Sequence, residues 1–249
     1  MSTTFRTEQT LYIVRHGTAY HNVSNAHDDL TDPKWIDPAL NPHGHGQAEI
    51  TGMALQRDHH PIHFDWVITS PLTRTLETTM GIVKQLEPRV RWIAQDELRE
   101  AYGIHYSNRR SNLSILEAQW PHVDFQKMTE GDKQWRHDCH ESWTHLGERI
   151  DWFLCLTSWN QLHPTIEKTN ESGPRPGSNV LIVSHSKWMD CLFRKYCPQV
   201  LEGRKRIYNC DTYRAQLVCD WRKEMKDSEW KCKKIALEDV ALVVAHSRK

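Results

Sequence analysis

Apolar positions along this chain fall into short blocks with two different spacings. Thr10 to Val14 is a brief apolar run, β-branched in its middle, that stops on Arg15, His16 and Gly17. Such a run predicts a strand buried on both faces and feeding a turn. Phe64 to Thr69, Arg89 to Ala94 and Asn179 to Ser184 have the same character, and Tyr213 to Cys219 and Asp239 to Val244 predict later strands. Helical spacing appears between them. Asn41-Pro42 opens a helix to about Arg57 with Ile50, Ala54 and Leu55 on its apolar side. Ser70-Pro71 offers an N-cap followed by proline, and Leu72, Leu76, Met80 and Val83 line one face to Glu87, before Pro88.

The remaining periodic segments are a helix from about Ser142 to Leu162, with Leu146, Ile150, Trp152, Phe153 and Leu154 inward, and one from Ser186 to Tyr196. Residues 18 to 42 lack periodicity and predict a loop crossing the strand ends. Residues 96 to 140 break the strand–helix rhythm and read as an inserted lid or wall, with Ser111 capping a short helix to Trp120. Lys168 to Ser178 is the expected surface loop for a proteolytic nick, and Arg222 to Lys234 a charged segment between strands. Strand, helix, strand in this order predicts an α/β fold: a three-layer α/β/α sandwich on a central, mostly parallel sheet, as a single domain over residues 1–249.

Composition narrows the partners. Lysine plus arginine and aspartate plus glutamate each number 32, so no global field draws nucleic acid or an anionic membrane. Seven cysteines without a CxxC pair suit a reducing, cytoplasmic setting, and neither a signal pattern nor a membrane-length apolar run is present. The final Ser247-Arg248-Lys249 lacks the leucine of a peroxisomal address.

Arg15-His16-Gly17 with Asn22 resembles the signature of the histidine phosphatase superfamily, the phosphoglycerate mutase-like proteins. Further similarities follow in that family's order: Leu40 to Ala48, Ser70 to Thr78, Leu98-Arg99-Glu100, and Val183 to Ser186. Gly103 to Ser111, Trp120 to Phe125 and Asn209-Cys210-Asp211 resemble a fungal and plant subgroup. The resemblance implies a phosphoglycerate mutase-like fold and a phosphohistidine intermediate. Ser186, where the acid-phosphatase branch carries aspartate, disfavours that branch.

Phosphoryl transfer needs an in-line nucleophile, cations around the equatorial oxygens and an acid for the departing oxygen. His16 is the candidate nucleophile, with its second ring nitrogen donating to a backbone carbonyl. Arg15 and Arg74 are the candidate clamp, because a guanidinium fork matches a phosphate. His185 adds a charge-assisted bond to the same oxygens, and Asn22 one more donor. Glu100 is the candidate general acid, and Arg109 and Arg110 are expected to grip a second anionic group of the substrate. The scheme requires no metal or cofactor, since arginine and histidine charge takes the metal's place.

Each motif alone has a plainer reading. Arg74 could pair with Glu77 along its helix, Glu100 could be a solvated loop charge, and Arg109 and Arg110 a surface pair. His43-Gly44-His45 and the His137, Cys139, His140 group carry ligand chemistry but lack a second well-spaced pair for zinc. The order of the motifs favours the functional reading: a phosphomonoesterase on a small phosphorylated substrate, with a mutase-type phosphotransferase second and a silent scaffold third.

Overall fold

The structure is a computed structural model that describes residues 2–23, 29–56, 62–86, 90–125, 128–159, 177–224 and 231–246. The apolar blocks become strands β1 (Ser2–Arg15), β2 (Trp66–Thr69), β3 (Arg91–Ala94), β4 (Asn179–Ser184), β5 (Thr212–Glu224) and β6 (Lys231–Val244). They form one mixed, mostly parallel sheet in the order β3-β2-β4-β1-β5-β6. β3, β2, β4 and β1 run parallel, and β5 and β6 add an antiparallel ribbon on the β1 side.

Successive side chains of a strand point to opposite faces, so a strand covered on both sides feeds two cores. Leu11, Ile13, Ile68, Val180 and Ile182 pack on one side with Phe153 of α4 (Trp143–Trp159) and Trp188 of α5 (Ser186–Tyr196). Tyr12, Val14, Val67, Leu181 and Val183 pack on the other with Leu55 of α1 (Pro42–Gln56), Leu76 and Ile82 of α2 (Thr73–Val83), and Leu116 of α3 (Leu113–Gln119). The three layers expected from the pattern are therefore present. Truncating a fully buried leucine such as Leu76 costs about 2–5 kcal/mol, so either core can decide whether the chain folds.

Several boundaries differ from the sequence expectation. α2 starts at Thr73, not at Pro71, and Ser70 does not cap it. The Asp37 carboxylate reaches across from the preceding loop and accepts from the Thr73 amide at 2.7 Å and its hydroxyl at 2.9 Å. A cap supplied from 36 residues upstream leaves no local signature. The helix ends at Val83 in turns through Leu86, and α3 starts at Leu113 without a side-chain cap from Ser111.

β5 and β6 run well into the segment expected to be a charged connector. Charges on a ribbon whose outer face meets solvent read as a loop when only their density is counted. Ile50 and Trp152, expected inward, are 58% and 59% exposed. Pro88, most of the loop expected to be nicked and the last three residues lie outside the described residues.

Candidate active site

The β1–β4 register builds the site. Val14 pairs with Val183 and Arg15 with Ser184, so the residues one step beyond, His16 and His185, leave neighbouring strands side by side. Their ring centroids stand 5.0 Å apart, and both residues are buried. Ligands in open α/β sheets bind outside the carboxyl ends of such parallel strands.

The turn carrying His16 is clamped from three directions. The Gly17 amide donates to the Thr78 hydroxyl at 2.9 Å, and the Thr18 amide and hydroxyl both donate to Gln47 Oε1 at 2.9 Å. A Cβ on Gly17 would stand 2.6 Å from the Gly44 carbonyl oxygen, so glycine is what allows α1 to sit against the turn. Asn41, which the sequence placed at this helix start, accepts from the Gly44 amide at 2.8 Å. From the C-terminal side, Asn209 Nδ2 donates to the His16 carbonyl at 2.9 Å, the Cys210 amide to the Arg15 carbonyl at 2.8 Å, and the Arg15 amide to the Asp211 carbonyl at 3.2 Å. The Asn-Cys-Asp element thus acquires a role that the sequence did not disclose.

The chemistry of His16 follows from its contacts. A carbonyl only accepts, so the 2.7 Å contact with the Gly17 oxygen puts the ring proton on Nδ1 and leaves the Nε2 lone pair available. Burial, then Arg74 and Arg15, push its pKa well below the usual imidazole range and keep it neutral. His185 is held down in the same way by burial, Arg74 and His16. Its Nε2 lies 2.8 Å from the Ser70 hydroxyl. His185 is thus held neutral here, and a bond from it to an anion draws its charge assistance from the anion.

Arg74 is almost fully buried and does not pair with Glu77, whose carboxylate instead accepts from the Leu40 amide at 2.6 Å. It donates to the Ser107 carbonyl at 2.6 Å and to Asn108 Oδ1 at 3.1 Å. Burial lowers its pKa to about 10, against the opposing fields of Asp37 and Glu100, so it stays charged at neutral pH. Arg15 donates to the Ile207 carbonyl at 2.6 Å. Among the described residues, Arg15 Nε, Arg74 Nε and His185 Nδ1 are buried nitrogens without a hydrogen-bond partner. Such groups call for an acceptor, and three on these residues fit an anion.

Glu100 lies at the rim. Its carboxylate accepts from the Ala101 amide at 3.0 Å and from the Lys187 amide at 3.1 Å, in the first turn of α5, and its charge acts on both Arg15 and Arg74. Asn22 is placed differently from the expectation. Its Oδ1 accepts from the Ala19 amide and Asn209, and its amide nitrogen faces His21 Nε2 at 3.0 Å, so it braces the turn. The sequence reading missed His21, whose ring lies 6.1 Å from His16 and whose pKa burial, Arg74 and Arg15 push down to about 2.

The insert is a buttress for Arg74. Asp132, whose side chain is 1% exposed, accepts from Arg99 Nη1 at 2.8 Å and from the Arg110 amide at 2.8 Å. Arg99 in turn donates to the Asn108 carbonyl, one atom group away from the Arg74 acceptors. Arg110 does not stand open as a substrate grip. It is 3% exposed and donates to the carbonyls of Ser111, Thr129 and Gly131 at 2.7–2.9 Å. Arg109 stacks on Trp135 at 5.2 Å. Among the described residues no group of histidine, cysteine and carboxylate side chains is arranged to hold a metal, and no helix is long and apolar enough to cross a membrane.

Paired imidazoles and guanidiniums at the carboxyl ends of parallel strands define an α/β protein with a buried, cationic anion cradle. The pattern of the histidine phosphatase superfamily (branch 1) matches residues 11–227, and the chain belongs to that family. Phosphoglycerate mutase-like protein 1 of Arabidopsis thaliana is 27% identical over 66% of this chain and 68% of its own. The broad-specificity phosphatase YOR283W of Saccharomyces cerevisiae is 28% identical over 70% of this chain and 64% of its own. Matched stretches cover from 45% to 85% of the first five curated relatives. Among solved structures, a phosphoglycerate mutase from Bacillus anthracis superposes with a TM-score of 0.55 at 20% identity, covering 91% of this chain and 92% of the other, which supports the fold.

Proposed function

We propose that the protein is a phosphomonoesterase that works through phosphorylated His16. The observation that carries the reading is the neutral His16 ring, tied through Nδ1 to the Gly17 carbonyl and set beside His185, Arg15 and Arg74. In this scheme Nε2 attacks phosphorus in line, and the bond to the departing alkoxide or phenoxide breaks as Glu100 protonates that oxygen. Arg15 and Arg74 hold the charge spread over the three equatorial oxygens, while neutral His185 contributes a hydrogen bond. Glu100, then anionic, takes a proton from the water that attacks the phosphohistidine and releases phosphate.

A mutase-type phosphotransferase is the second reading, favoured by the names of several relatives. Such an enzyme must keep its phosphohistidine from water and grip a second anionic group. Arg110, one of the two insert guanidiniums suited to that grip, is consumed by backbone carbonyls, which supports hydrolysis. A panel of phosphomonoesters including p-nitrophenyl phosphate, assayed with wild type and His16→Ala, tests the proposal. Phosphate release lost in the variant is the expected result. Isomerisation of a phosphoglycerate in the presence of a bisphosphorylated primer, without phosphate release, would favour the mutase, and no turnover by folded wild type from acidic to neutral pH would favour a scaffold.

A further inference from the structure

Three of the seven thiols converge far from the catalytic cradle. Cys155 lies on α4, Cys219 on β5 and Cys232 on β6. Cys219 pairs across the sheet with Thr7, eight residues before Arg15 on β1, which at strand rise is about 26 Å from the site. The β5–β6 ladder pairs Cys219 with Ile235 and Trp221 with Cys232, with a bulge between Asp220 and Trp221. The irregularity brings Cys232 to the same sheet face as Cys219 and Trp221, the face that α4 covers.

Cys155, Cys219 and Cys232 all belong to the core layer between α4 and the β5–β6 ribbon, and the Cys232 sulfur donates to the Lys234 carbonyl at 3.4 Å. Cys219 is buried, whereas Cys155 and Cys232 are partly open to solvent. The thiols of Cys155 and Cys219 lower the Cys232 pKa against the opposing effects of burial and Asp151, and their own are raised. Asp151 is itself engaged by Lys195 Nζ and the Tyr196 hydroxyl, each at 2.6 Å. Lys231, Lys233 and Lys234 surround Cys232 in sequence. A partly exposed cysteine whose pKa is lowered and which shares a packed layer with a second thiol has the features of a peroxide-reactive cysteine.

We propose that Cys232 is an oxidation site for hydrogen peroxide or an organic hydroperoxide, and that Cys155 resolves it into a disulfide fastening α4 to the β5–β6 ribbon. The Cys232 sulfur attacks a peroxide oxygen, the O–O bond breaks, and the departing hydroxide (or alkoxide) takes a proton to become water (or alcohol). Sulfur is oxidised by two electrons to the sulfenic acid while the peroxide is reduced. The Cys155 thiol then attacks that sulfur as its proton passes to the departing oxygen: the S–S bond forms, the S–O bond breaks, and the hydroxide leaves as water. Cys219 is the poorer resolving thiol. It lies diagonally across the ladder, where neighbours are about 7–8 Å apart, beyond the usual Cα reach of a disulfide.

The test treats the folded full chain with hydrogen peroxide, blocks remaining thiols and maps the cross-links by mass spectrometry. Wild type is expected to give a Cys155–Cys232 disulfide before exposed Cys139 reacts, with a rise in Tm that dithiothreitol reverses. Cys155→Ser is expected to leave a sulfenic acid on Cys232 that dimedone traps, and Cys232→Ser to form no disulfide. Oxidation of Cys139 ahead of a still reduced Cys155 and Cys232, or a Cys219–Cys232 disulfide in wild type, overturns the proposal and needs no variant to fold.

Discussion

Asn209 Nδ2 donates to the His16 carbonyl oxygen at 2.9 Å, joining residues separated by 193 positions. That bond sits on the backbone immediately behind the candidate nucleophile, and the same amide nitrogen lies 3.4 Å from Asn22 Oδ1. Asn209→Ala removes the donor and frees the turn. A lost hydrogen bond of about 1–1.5 kcal/mol expressed at the nucleophile corresponds to roughly a tenfold fall in kcat. Steady-state kinetics with p-nitrophenyl phosphate check it: kcat is expected to fall while the far-ultraviolet circular dichroism is unchanged, and an undiminished kcat contradicts the positioning role.

Asp132 is the anchor of the insert. Deleting its carboxylate leaves the buried guanidinium of Arg99 without its main partner, and breaking a buried pair on one side costs about 3–5 kcal/mol. Asp132→Ala is therefore expected to lower the urea midpoint sharply. Activity is expected to fall as well, because Arg99 holds the segment that supplies the acceptors for Arg74. A midpoint within a few tenths molar of wild type would show that the insert does not depend on this pair.

Stability should fall as the solution turns acidic. His16, His21 and His185 all have pKa values depressed by burial and neighbouring guanidiniums, so the folded protein stays unprotonated where the unfolded chain takes up protons near pH 6.5. The unfolded state binding more protons means that stability rises with pH, and it is lost as pH drops below 6.5. From pH 7.5 to 5.5 each histidine contributes about 1.4 kcal/mol, or about 4 kcal/mol for the three. Urea denaturation at pH 7.5, 6.5 and 5.5 measures it, and His21→Asn should reduce the change across that range by about 1.4 kcal/mol. A flat profile contradicts neutral burial of these rings.

Much of the fold lay in local pattern. The apolar blocks ending at Val14, Thr69 and Ser184 are buried on both faces, and such strands announce themselves without partners. His16, Arg74 and His185 were legible because each follows a strand end or opens a helix, where spacing and motif coincide. The unread parts are interactions between distant segments: Asp37 capping α2, Asn209 behind His16, and Asp132 holding Arg99. No local periodicity encodes them. Arg110 misled because an arginine beside a motif reads as a ligand, whereas backbone carbonyls of the insert take up both of its Nη nitrogens. The β5–β6 ribbon was read too short since its exposed face carries the charges that also mark loops.

The most direct measurement is a rapid acid-free quench of the enzyme with radiolabelled p-nitrophenyl phosphate, followed by mapping of the label. The mechanism predicts an acid-labile, base-stable phosphoryl group on His16 that forms and decays at rates compatible with turnover and is absent from His16→Ala. Turnover by wild type with no phosphorylated histidine, together with full activity in His16→Ala, would contradict it.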